Sequence, residues 1–520
     1  MPDKKEDHLI IQTLRRLNQS GNSFVDKSVL FKAYCAELPV PCGYAEFTGE
    51  LDKLAGEGKL HLDGSAVYLA ETWKDEEFAA ASLAEHLRHG PRGSGPLPEE
   101  IRVNDITLDE EQRMAVRKAG ENDLTLIIGG AGSGKSATAC ALIDTLGIDP
   151  RTELALCAPT GKAARNLCEA TGYPASTLHK ALHMLHSGGA QEPDALKGKK
   201  LVVVDEAGMM PLHVFAELLK AAPDDCRIVL LGDRNQLQGI GAGNVLADLL
   251  ELGVPNQELR TLYRQKDAAS ALYHNVARFP EIAGVSGLLK DESFQIRTGT
   301  DDEIRAKLTE EAVRRYGRNE LTCVITPRHK DVPLGSDALN ALIREELNPL
   351  RAGTGVLNGG IRFGDGDLVM VTANDAARGC FNGDVGVLHI PSGGEHHGCV
   401  VRLNNGNRVA WSAEEAKRLP LELAYAMTVH KAQGSGYDTV LIPLSEEQMG
   451  NMLSRNLFYT AISRAKERVI LFGTEEAIDR ALRTRPSPRN SNLAEKTQKH
   501  LNGEQTTETD NTEEEHEHES

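Results

Sequence analysis

Residues 129–136 constrain this chain more than any other stretch. They read Gly129, Gly130, Ala131, Gly132, Ser133, Gly134, Lys135 and Ser136. The apolar run 124–128 precedes them and a helix-forming run follows. Strand, glycine-rich loop and helix in that order make a phosphate-cradling loop. Glycines let backbone N–H groups close around phosphate oxygens, and the helix N-terminus adds partial positive charge. Lys135 is placed to reach the β- and γ-phosphates, and the Ser136 hydroxyl to ligate Mg²⁺. The pattern therefore predicts a site for ATP with Mg²⁺.

A second element supports the first. The apolar run 201–204 ends in Asp205-Glu206. An acidic pair at the end of a buried strand suits Asp205 to hold Mg²⁺ through water and Glu206 to polarise an attacking water. Further short apolar runs at 154–158 and 228–231 alternate with helical patterns. Runs of this kind fit strands buried on both faces of a parallel sheet, so the expected fold class is α/β. A second α/β region starts near 256, with runs at 322–326, 440–443 and 468–472. Within it, residues 355–417 read as all-β, with Asn405-Gly406 as a turn, and suggest a small inserted barrel. No internal repeat is evident.

The 520 residues predict about three to five domains. Residues 1–95 read as a separate module. Ile10, Leu14 and Leu17 keep helical spacing, as do Phe47, Leu51 and Leu54, and a hairpin is expected about Asp63-Gly64. Helices followed by a hairpin suggest a winged-helix-like unit. Its acidic helix, with Glu46, Glu50, Asp52 and Glu57 against Lys53, favours docking over DNA binding. Residues 88–104 read as a linker. Residues 483–520 are polar and then acidic, and are expected to be a disordered acidic tail.

The net charge of −18 argues at first against a nucleic-acid partner. Eight acids with no Lys or Arg lie in residues 501–520, however, leaving −10 on the rest. No apolar run approaches the roughly 18–20 residues of a membrane helix, and the start lacks a signal-peptide core. Nine scattered cysteines without a CxxC pair suggest a reducing, cytoplasmic setting. The cluster His396-His397-Gly398-Cys399 reads as a polar loop rather than a metal site.

Six further segments narrow the class. In order they are Ala158-Pro159-Thr160-Gly161-Lys162, Asp205-Glu206-Ala207-Gly208, Gly232-Asp233-Arg234-Asn235-Gln236, Tyr263-Arg264-Gln265, Val429-His430-Lys431-Ala432-Gln433-Gly434-Ser435 and Tyr459-Thr460-Ala461-Ile462-Ser463-Arg464. In this order the chain resembles the superfamily-one helicases, above all their RecD-type branch of 5′-to-3′ DNA helicases, over about residues 105–475. The resemblance implies two RecA-like domains, at 96–255 and at 256–354 with 418–482, and an SH3-like insertion at 355–417. It implies an ATP-driven motor on single-stranded DNA acting in repair or recombination. Gln112 is implied as the adenine reader and Gln236 as the γ-phosphate sensor. Arg264 and Arg464 are implied as arginines that stabilise charge on the transferring phosphoryl. Thr160, His179, Thr428 and His430 fall where the family contacts DNA, although His179 has a plain packing role as its alternative.

Two departures stand out. Gly436 occupies a position where the family usually has an acid near the nucleotide sugar, which predicts looser nucleotide selectivity. Residues 184–199 leave little room for a strand-separating pin. The alternative expectation is therefore an ATP-dependent DNA clamp without efficient unwinding. RNA stays open as a substrate. A protein partner is expected, if anywhere, at the N-terminal module or the tail.

Overall fold

The computed structural model describes residues 8–40, 42–92, 98, 100–103, 106–184, 196–261, 263, 276, 291–350, 355–358, 361–375, 377–391 and 398–503. Two parallel sheets organise it. The first runs Asn256–Leu259, Leu124–Gly129, Arg227–Gly232, Leu201–Val204, Leu154–Ala158 and Ala175–Thr177 from edge to edge. Its central strands are buried on both faces, as their unbroken Leu/Ile/Val runs require. The second runs Phe294–Arg297, Ala465–Gly473, Tyr437–Leu444, Thr322–Thr326 and Ala426–Thr428, again all parallel. Each sheet carries helices and has its own apolar core. Parallel strands need crossovers, so their C-terminal ends gather on one edge, where α/β folds place ligands.

The insertion is an antiparallel sheet ordered Arg408–Trp411, Cys399–Leu403, Val385–His389, Leu368–Val371 and Leu421–Leu423. It continues past the expected limit at 417, because Leu421–Leu423 pairs with Leu368–Val371 and Leu419 and Leu421 join its core. The first sheet likewise passes the expected boundary at 255. Asn256–Leu259 pairs with the strand that feeds the phosphate loop.

The N-terminal region holds helices Leu9–Asn18, Lys27–Glu37 and Tyr44–Gly56 and the hairpin Leu60–Asp63/Ala66–Leu69, around a core that includes Ile10, Leu14, Leu30, Phe47, Leu51 and Val67. The helix Ala70–Arg88 does not belong to that core. Its Ala79, Ala80 and Leu83 pack into the first α/β domain with Phe215 and Leu219. A separate module ending at 95 is therefore not what forms; small residues on one helix face let this helix approach the domain closely.

Residues 484–503 also depart from expectation. Instead of a disordered tail they form an extended strap and the helix Leu493–Asn502. Composition misled because the strap is held by specific polar bonds. Asn492 Nδ2 donates to Tyr68 Oη (2.7 Å) and Ser491 Oγ to Asp248 Oδ2 (2.7 Å). Lys496 pairs at 3.1 Å with the fully buried Glu76, beside the rings of Tyr68 and Trp73. Leu493 supplies the apolar anchor. Residues 504–520 lie outside the described residues, and among the described residues no helix is long and apolar enough to cross a membrane.

Candidate ATP cleft and nucleic-acid edge

A cleft of about 1310 Å³ lies between the two α/β domains. The first domain lines it with Gln112, Gly130, Ala131, Gly132, Gly134, Lys135, Ser136, Asp205, Glu206 and Gln236. The second lines it with Ser435, Gly436, Ser463 and Arg464, and the insertion adds Asp384 and Asn404. Gly129 and Ser133 stand just behind the loop, with Ser133 buried against Gly129.

The loop has the backbone that its sequence demands. Gly132 and Gly134 have φ of 81° and 86°, open to glycine at little cost. A side chain at 134 would also strike the Gln112 amide nitrogen, 2.2 Å from the site of its Cβ. Gln112 is itself fixed. It is buried at the start of helix Glu110–Glu121 in a reciprocal cap, its Oε1 accepting from Asp109 N (3.1 Å) and Asp109 Oδ1 accepting from Gln112 N (2.8 Å). Its free amide end therefore faces the loop. Lys135 Nζ donates to the carbonyls of Gly129 (2.6 Å) and Gly130 (3.1 Å), which keeps the ammonium at the mouth of the loop.

Asp205 ends its strand and accepts from Glu206 N at 2.8 Å. Burial, helped by the neighbouring Glu206, pushes its carboxyl up to about 6, with Lys135 opposing. Glu206 has φ of 51°, a left-handed backbone that costs a non-glycine residue free energy. That turn redirects the chain off the strand at the cleft wall. One hydroxyl (Ser136) and one carboxylate (Asp205) are hard oxygen donors that suit Mg²⁺, a cation usually held by one or two carboxylates and substrate phosphates.

On the opposite wall Arg464 is buried and turned onto its own helix end, donating to Ser463 Oγ (2.8 Å), Thr460 O (3.2 Å) and Ser435 O (3.5 Å). Arg264 lies outside the described residues. Its neighbour Tyr263 is described: Tyr263 N donates to Gly132 O (3.1 Å) and its hydroxyl to Asp109. Gly436 lines the cleft, and a Cβ there would come within 3.1 Å of Lys466 Cε. So where a carboxylate was expected a lysine stem passes instead.

The residues joining the two walls were not singled out from sequence. The loop after Gly232 is tied to the second domain. Tyr459 Oη donates to the buried Asp233 (2.7 Å), Leu237 N to Thr460 Oγ1 (2.7 Å), Gln433 Nε2 to Leu237 O (3.0 Å) and Asn456 Nδ2 to Gln236 O (3.3 Å). Gln236 thus sits with its backbone held by the second domain and its side chain at the cleft. Lys162 Nζ donates to Ser435 Oγ (2.5 Å), and burial lowers its pKa to about 8. Arg165 makes a two-bond pair with Asp384 of the insertion (2.8 and 3.1 Å) and lies over Phe381. Gly161 is required there, since a Cβ would come within 2.7 Å of Phe381 Cβ and 2.8 Å of its ring. Asp233, Lys162, Gln433, Ser435, Tyr459 and Thr460 fall inside segments already quoted, but Arg165, Leu237, Phe381, Asp384 and Asn456 do not, and sequence order does not reveal which side chains meet across a cleft.

Thr160 and His179 follow strand ends of the first sheet, and Thr428 and His430 stand at and beyond a strand end of the second. None lines the cleft. Thr160, Thr177 and Thr428 each cap a helix through the side-chain oxygen. His430 is exposed; crowding by surrounding protein and then the Arg489 charge lower its pKa. Residues 185–195, where a short pin segment was read, lie outside the described residues, as do His396 and His397.

Comparison with known proteins agrees with this layout. Residues 107–287 match the family model described as an AAA domain, and residues 423–472 match a UvrD-like helicase C-terminal domain. The ATP-dependent RecD2 DNA helicase of Deinococcus radiodurans is 32% identical over 93% of this chain and 67% of its own length. The RecBCD enzyme subunit RecD of Mycobacterium tuberculosis is 30% identical over 83% of this chain and 80% of its own. The corresponding subunit of Mycolicibacterium smegmatis is 29% identical over 92% of each. The chain belongs to the RecD family of superfamily-one, ATP-dependent DNA helicases.

Proposed function

We propose that the chain couples ATP hydrolysis in the interdomain cleft to 5′-to-3′ movement along single-stranded DNA. One observation carries the reading. The phosphate loop and Arg464 face one cleft from opposite domains, while the candidate DNA residues, two on each domain, lie outside that cleft at the strand ends of their own sheets. A change in the cleft must then move the two DNA-facing edges relative to each other.

In this reading the loop amides take the triphosphate, and Lys135 exchanges the carbonyls of Gly129 and Gly130 for phosphate oxygens. Ser136 and Asp205 would hold Mg²⁺, which when bound neutralises charge on the β- and γ-phosphates. Glu206 orients the attacking water. Gln112 presents its amide to the adenine edge, which offers both a donor and an acceptor. Arg464, released from Ser463, and Arg264 stabilise the transferring phosphoryl. Gln236 links phosphate state to the second domain through the bonds at Leu237. Thr160, His179, Thr428 and His430 grip the DNA backbone without reading sequence.

The nine free cysteines support a cytoplasmic setting. A RecD relative is by name a subunit of a larger enzyme, which supports a protein partner here, in repair or recombination. Stimulation of ATP hydrolysis by oligothymidylate against oligouridylate tests the reading. Strong stimulation by the DNA is expected; hydrolysis indifferent to both would overturn it.

A further inference from the structure

Two short segments repeat each other in sequence, register and place. Residues 177–181 read Thr-Leu-His-Lys-Ala and residues 428–432 read Thr-Val-His-Lys-Ala. Each threonine ends the edge strand of its parallel sheet and caps a four-residue helix. Each accepts the backbone N–H of the lysine three residues on, Lys180 at 3.3 Å and Lys431 at 3.4 Å. The neighbouring strands match as well. Ala158 stands opposite Thr177, and Thr326 stands opposite Thr428. Beyond that matched pair both inner strands continue through proline: Ala158-Pro159-Thr160-Gly161-Lys162 in one domain, Thr326-Pro327-Arg328-His329-Lys330 in the other.

Arg328 therefore holds in the second domain the position of Thr160 in the first. Its surroundings suit an anion. Arg328 is exposed, and its Nη1 donates to Gln448 O at 3.1 Å. Lys330 is exposed beside it. Among the described residues neither cation has a carboxylate within ion-pair distance. His329, between them, is the one that pairs, with Asp337 at 3.0 Å and Ser336 at 2.9 Å. On the neighbouring turn Lys431 is already paired with Glu422. The strand that pairs with Ala426–Thr428 thus leads into two cations, Arg328 and Lys330, that no described carboxylate neutralises.

We propose that Arg328, with Lys330 beside it, binds a backbone phosphate of the DNA strand on the second domain, as the counterpart of Thr160 on the first. This rests on the reading of the chain as a motor on single-stranded DNA. The two grips then differ in chemistry. The first domain offers a neutral hydroxyl and backbone amides, the second a guanidinium able to make two charge-assisted bonds. The second grip is the more salt-sensitive.

The test is oligothymidylate binding by the full chain, followed by anisotropy between about 50 and about 200 mM salt. Arg328→Ala is compared with Arg328→Lys and with Arg305→Ala, a half-exposed arginine paired with Asp302 on helix Asp301–Tyr316 of the same domain. Arg328→Ala is expected to weaken binding about three- to tenfold and to flatten the log–log salt slope by about 0.7. Arg328→Lys keeps most of the slope, and Arg305→Ala matches the wild type. A wild-type slope and affinity in Arg328→Ala overturn the inference. So does Arg328→Lys losing affinity as Arg328→Ala does with no change of slope, which would assign Arg328 to the Gln448 contact alone. A wild-type chain that binds no oligothymidylate would instead overturn the reading beneath it.

Discussion

The two walls of the cleft are built differently. On the first domain nearly every group is set before any ligand arrives. Gln112 is capped and buried, the loop glycines have their left-handed turns, and Asp205 is bonded to Glu206 N. On the second domain Arg464 is buried but spends its donors on Ser463, Thr460 and Ser435. One wall is preorganised to bind and the other is held back from reacting. In the proposed mechanism binding precedes catalysis, and the step between them is a movement of one domain against the other, as a motor needs.

The largest expected effect breaks the preorganised wall. Lys135→Ala should reduce DNA-stimulated ATP hydrolysis to background, because the ammonium held at the mouth of the loop is lost. Surviving turnover in a steady-state assay would place the site elsewhere. Next comes the held-back wall. Arg464→Ala should lower kcat about 10³-fold, the lower range for an arginine finger, while ATP binding by titration changes little. Loss of binding and of turnover in equal measure would erase the distinction between the walls.

A smaller effect is expected between them. Tyr459→Phe removes the bond to Asp233, a carboxyl whose pKa burial raises, and leaves that group without its cross-domain donor. The ratio of DNA-stimulated to basal ATPase should fall about tenfold, in line with one hydrogen bond to a charged group. An unchanged ratio would show that these contacts do not carry the coupling.

The smallest effect is in pH. Asp205 ionises at about 6 in the fold, above its ordinary value, so ionisation costs the protein stability and that cost is relieved as the pH falls through about 6. Metal binding runs the other way, since Mg²⁺ needs the carboxylate. The Mg²⁺ concentration for half-maximal ATPase should rise up to about tenfold per pH unit below about 6 and stay flat above about 7. A flat profile down to pH 5 would deny Asp205 that role.

Sequence made the first wall more legible than the second, for a physical reason. A phosphate loop and an acidic strand end are local: their chemistry needs residues at fixed spacing, and spacing is what a sequence displays. The contacts of Tyr459 with Asp233 and of Arg165 with Asp384 join residues more than 200 positions apart, and only the packed domains bring them together. Boundaries failed where composition was a poor proxy for packing. The polar strap at 484–503 is ordered by bonds such as Lys496 to Glu76, and the helix Ala70–Arg88 follows its small residues into the neighbouring core. The local repeat of Thr-x-His-Lys-Ala went unread in the sequence, because five residues mean little until the matched strand registers give them the same place.

Strand displacement from duplexes carrying a single-stranded tail tests the central claim most directly. With ATP, the chain should displace the strand from a 5′-tailed duplex and leave a 3′-tailed one intact. Displacement from the 3′-tailed substrate alone, or brisk ATP hydrolysis with no displacement from either, would contradict it.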